Sequence, residues 1–127
     1  MGSMAKTKSE LEKVIAEVRD MQKDVGKITN QQINLNSQLT ENRLVEQELS
    51  LLKDDAEVFK LIGPVLIKQD LLEAKGNVSK RINFITSEMK RTDDQMALLE
   101  QKQETKRKQI MDLQMKLQEQ AKQGAVQ

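Results

Sequence analysis

The sequence predicts a mainly α protein in which two long helices form an antiparallel coiled coil and a short β-hairpin joins them. Three observations predict it. One apolar run, Val58 to Gln69 (VFKLIGPVLIKQ), lies mid-chain and holds the only proline, Pro64, beside Gly63. On either side of it, apolar residues recur at alternating steps of three and four with no interrupting proline. Aromatics make up 2% of the chain, Phe59 and Phe84 alone, so a round core lacks its usual fillers. Abundant Glu, Lys, Gln, Leu and Met suit helices packed along a seam instead.

The same composition excludes several functions. Lys plus Arg is 21 and Asp plus Glu is 20, a net charge of +1, and this balance argues against a general nucleic-acid binder. Cysteine and histidine are absent. That rules out disulfides, zinc sites of the usual kinds, cysteine nucleophiles and histidine acid–base chemistry. No run approaches the ~18 apolar residues of a membrane span. The expectation is a cytoplasmic protein that is not an enzyme and uses no cofactor or metal. MGSM at residues 1–4 reads as an expression scar (1–3) before a native start at Met4. Residues 4–8 are expected to be disordered, 9–121 to form a single domain, and 122–127, with Gly124, to be a flexible tail.

The first helix is expected over 9–55. Ser9 with Glu12 three residues on has the pattern of a capping box. The seam then runs Leu11, Val14, Val18, Met21, Val25, Ile28, Leu35, Leu39 and Leu49, with polar slots at Gln32, Asn42 and Glu46. After Leu39 the apolar face widens over Leu44, Val45, Leu49, Leu51 and Leu52, which implies more than one neighbour near the central run.

The centre reads as a hairpin over 58–68, with strands at Val58–Ile62 and Val65–Lys68 and a tight turn at Gly63-Pro64. A helix–helix loop is the alternative, but the β-branched and aliphatic content favours strands. A lone two-stranded hairpin is marginal in water, and this one is apolar on both faces with two open edges. It therefore calls for pairing with other chains.

The second helix is expected over 70–121, opened by Asp70 with Glu73. Its seam is Leu71, Val78, Ile82, Ile85, Met89, Met96, Leu99, Ile110, Leu113 and Leu117, with polar slots at Lys75, Thr92, Gln103 and Lys106. Folding the chain about Ile62 brings Gln32 level with Thr92, and Val14 and Val18 level with Ile110.

The free ends of the two helices carry more apolar groups than one seam needs. These are Leu11, Val14, Ile15 and Val18 on one side and Ile110, Met111, Leu113, Met115 and Leu117 on the other. Methionine suits surfaces that accept many shapes, so these residues are candidates for an adaptable apolar grip. Scattered surface methionines are the plainer alternative. Of two basic clusters, Lys106-Arg107-Lys108 lies among Glu100, Glu104 and Asp112, which suits a salt-bridged face. The other is Lys80-Arg81. Gly76 to Arg81 (GNVSKR) lacks the residue order of a phosphate loop. Two further readings of the whole are a structural coiled-coil tether or scaffold subunit and a membrane-surface helix. Mixed charges on the polar faces count against the second.

Glu57 to Ile67 (EVFKLIGPVLI), the following Lys68 and Gln69, and Ser79-Lys80-Arg81-Ile82 with Phe84-Ile85 resemble the prefoldin family, in particular its β-class subunits. The resemblance covers nearly the whole chain, and its central block is more specific than its helices. It implies a hexamer of two α-class and four β-class subunits, whose hairpins join into a β-barrel platform from which coiled coils hang. The partners implied are two α-class and three further β-class chains, unfolded clients such as actin and tubulin, and the cytosolic group II chaperonin that receives them without ATP. By position, the oligomerisation residues would be Val58, Phe59, Leu61, Ile62, Val65, Leu66 and Ile67. The client-binding residues would be the grip candidates at the helix ends. The resemblance implies no nucleic acid and no membrane.

Overall fold

The computed structural model describes residues 2–126. Its elements follow as α1 (Gly2–Ser50), β1 (Val58–Ile62), β2 (Val65–Gln69) and α2 (Leu71–Val126). Among the described residues, no helix is long and apolar enough to cross a membrane. The chain divides into two compact units, Asn30–Thr92 and Met1–Thr29 with Asp93–Gln127.

The unit Asn30–Thr92 holds the end of α1, the hairpin and the start of α2. Its core is two apolar clusters along the helix pair. Leu49, Leu71, Ala74 and Val78 form one, and Val58 and Ile82 pack on it. Leu35, Leu39 and Ile85 form the other, with Ile82 and Met89 against it. The later residues of α1 meet the earlier residues of α2, as an antiparallel pair requires. Thr92 is polar and yet 0% exposed. It is tolerated on the seam because its hydroxyl donates to the Met89 carbonyl at 2.8 Å, so no buried donor goes unpaired.

The other unit pairs the beginning of α1 with the end of α2. Here Leu11, Val14, Val18, Met21, Val25 and Ile28 are half-buried, as are Met96, Leu99, Ile110, Leu113 and Leu117. Glu17 and Lys106 form an ion pair between the helices, in the register of an antiparallel pair. Lys106 donates to the Glu17 carboxylate, and this holds the Glu17 pKa below its ordinary value; partial desolvation opposes the shift and the charges of Lys106 and Lys13 add to it.

The boundaries differ from the sequence expectation. α1 begins at Gly2, so residues 4–8 are helical and Ser9 is not a cap. Its SxxE spacing lies inside a helix. The expected scar, 1–3, begins at Met1, which lies outside the described residues. α1 ends at Ser50 and not at 55. The last turn tightens, with the Leu51 amide donating to the Glu48 carbonyl at 3.2 Å and Leu52 to Leu49 at 3.3 Å, a common way to close a helix. α2 continues to Val126, past the expected end at 121; Gln127 lies outside the described residues. Its start agrees with expectation: the Glu73 amide donates to Asp70 Oδ2 at 3.3 Å, which makes Asp70 the N-cap.

Candidate functional site

The hairpin is built from its turn outward. Ile62 pairs with Val65, so two residues, Gly63 and Pro64, make the whole connection. Gly63 has φ +57°, and the proline ring holds the next φ near −65°. A positive angle followed by a negative one is the type II′ pattern, whose twist matches that of paired strands and which takes glycine first. The register continues through Leu61 with Leu66, Lys60 with Ile67, Phe59 with Lys68 and Val58 with Gln69. The second strand thus reaches one residue further than the expected Lys68.

Side chains alternate across a strand, and directly paired residues share a face. One face carries Phe59, Leu61, Leu66 and Lys68. The opposite face carries Val58, Lys60, Ile62, Val65, Ile67 and Gln69. Of the seven expected oligomerisation residues, only Val58 is half-buried, against the Leu49 cluster. Phe59, Leu61, Ile62, Val65, Leu66 and Ile67 are all exposed. An ion pair from Lys68 to Glu57 at 3.5 Å lies on the surface and covers none of them. The sheet has two strands and hence two unpaired edges.

Apolar exposure continues onto the helices beside the hairpin and the residues that follow α1. Leu44, Val45, Leu51, Leu52 and Leu72 are exposed. The widened apolar face after Leu39 signalled the first four. Leu72 was not singled out, although the seam register takes Leu71 and leaves its neighbour outside.

The helix-end candidates sort into two groups. Leu11, Val14, Ile15, Val18, Ile110, Leu113 and Leu117 are half-buried. Val14 and Leu113 line a groove of about 420 Å³ together with charged residues that include Lys13, Glu17, Lys106 and Asp112. Met111 and Met115 are 62% and 60% exposed, one helical turn apart on the outer face of α2. Both helices run past these residues, to Gly2 and Val126, so the candidates lie inward of the last turns. Two of the three cations of the 106–108 cluster are paired: Arg107 with the nearby Glu104 at 3.7 Å, and Lys106 with Glu17 of the other helix.

The sequence and the fold both have counterparts among known proteins. The prefoldin subunit family model matches residues 12–123. Prefoldin subunit 6 of Arabidopsis thaliana is 50% identical over 109 residues, spanning 86% of this chain and 84% of that one. Prefoldin subunit 6 of Bos taurus is 43% identical over 113 residues, 87% of this chain and 88% of that one. Among solved structures, the prefoldin beta subunit from Thermococcus strain KS-1 superposes with a TM-score of 0.76 over 81% of this chain and 90% of its own, at 20% identity.

Proposed function

The chain belongs to the prefoldin subunit family, and on that premise we propose that it is a β-class subunit of a six-chain, ATP-independent chaperone of the cytoplasm. In this reading it joins two α-class and three further β-class chains through its hairpin. It holds unfolded proteins, actin and tubulin among them, on its coiled coil and delivers them to the cytosolic chaperonin. The observation that carries the assembly half is a hairpin apolar on both faces and bare on both, from Phe59 to Ile67. A tether has no use for such a surface. A holding chaperone needs no catalytic group; weak apolar contacts on several subunits at once reach useful affinity by multivalency.

The client half is supported by Met111 and Met115, large flexible side chains left open beside the half-buried Ile110 and Leu113. The test is suppression of aggregation of a denatured client by the complex reconstituted with its sister subunits. Replacing Met111 and Met115 with Gln is expected to leave assembly intact and weaken suppression. Undiminished suppression contradicts the assignment of these residues to clients.

A further inference from the structure

We propose that the groove around Phe84 docks an acidic, extended segment of a partner protein that carries a large apolar side chain. The groove, about 400 Å³, runs between α1 and α2 within the unit Asn30–Thr92 and is lined by Gln38, Asn42, Lys80, Arg81, Phe84 and Ile85. None of these residues belongs to the hairpin or to the client contacts proposed above, so the inference goes beyond that reading.

Phe84 is the apolar anchor. It is one of two aromatic residues in the chain and is 66% exposed, while its neighbour Ile85 is buried in the seam. The helix pair covers only about a third of this residue, and an apolar side chain laid against the ring would remove both from water.

The charge around the ring is unbalanced. Among the described residues, neither Lys80 nor Arg81 meets a carboxylate within ion-pair distance. On α2 no Asp or Glu lies between Glu73 and Glu88, while Lys75, Lys80 and Arg81 all do. On α1 the lining residues Gln38 and Asn42 are uncharged, and the charged residues beside Asn42, Glu41 and Arg43, are one of each sign. The groove wall facing the cations is amide, with Asn42 Nδ2 donating to the Gln38 carbonyl at 2.7 Å. The second basic cluster is thus the reverse of the first, whose Lys106 and Arg107 are paired within the chain.

Two adjacent unpaired cations beside one exposed ring fit carboxylates flanking an apolar residue. The arginine fork suits a carboxylate in particular. Nucleic acid would call for a longer basic track, and a membrane surface for several bulky apolar groups on one face.

The experiment is fluorescence anisotropy with the full chain and a short fluorescein-labelled peptide of glutamates around one phenylalanine. Binding is expected to weaken as salt rises. It is expected to fall about tenfold in Phe84→Ala and again in Lys80→Glu with Arg81→Glu. All three positions are exposed, and far-UV circular dichroism verifies the helices. The proposal is overturned if both variants bind like the parent, or if a peptide with lysines for glutamates binds as well. Tighter binding of a single-stranded oligonucleotide overturns it, as does loss of assembly with sister subunits in these variants, which would make the groove a subunit interface.

Discussion

Leu61 faces Leu66 directly across the hairpin, and the two are 67% and 64% exposed. Side by side, they form an apolar ledge with nothing on it. Ile62 and Val65 form a second on the opposite face, next to the turn. Each large aliphatic side chain gains about 1.5–3 kcal/mol when taken fully out of water. The hairpin is therefore a surface with strong reason to associate, placed where the helix pair does not cover it.

The turn sets that ledge, and two glycines separate its requirements from those of the helices. Gly63 needs its positive φ, and no atom lies within 4 Å of where a Cβ would stand. Gly63→Ala is expected to cost about 1–2 kcal/mol through the backbone alone, read as poor incorporation in competition with the parent chain. Gly76 is helical with the same open space. Gly76→Ala is expected to stabilise by about 0.5–1 kcal/mol, read as a higher thermal midpoint of the helical signal.

Asp70 caps α2 through its bond to the Glu73 amide. Asp70→Ala leaves that donor to water and is expected to destabilise by about 1 kcal/mol, whereas Asp70→Ser retains most of the cap. Denaturant midpoints of the two variants, compared at one pH, check the order.

The Glu17–Lys106 pair gives a pH dependence with a definite sign. The folded Glu17 pKa lies below its ordinary value of 4.5, so the unfolded chain binds the proton more readily. The contribution is complete above the ordinary value and is lost as pH falls through the lower, folded one. Glu17→Gln is expected to lower the denaturation midpoint slightly at neutral pH. That difference from the parent should vanish in acid below the folded pKa; a gap that persists there contradicts the assignment.

The seam was legible in the sequence almost position by position. Every apolar residue assigned to it, from Leu11 to Leu117, is buried or half-buried, because the step of three and four depends only on helical geometry. Of its polar slots, Thr92 and Gln103 are buried but Glu46 is exposed. The hairpin was legible because Gly-Pro and β-branched residues are local signals. The helix ends were not. α1 closes after Ser50 without Gly or Pro, through main-chain bonds of Leu51 and Leu52 that no residue type announces. The seam register also took Ile85 and left Phe84 outside it, as found, but that step does not tell whether an off-seam ring is covered elsewhere in the chain; Phe84 is 66% exposed.

The most direct test of the assembly claim is native mass measurement after mixing the full chain with the other prefoldin subunits. One form carries the natural hairpin and the other Leu61→Glu with Leu66→Glu. The natural chain is expected in a six-chain complex. The variant should keep its helical circular dichroism but stay out of the complex by more than about tenfold. A variant that incorporates as well as the natural chain, or a natural chain that pairs only with itself, would contradict the role given to the hairpin.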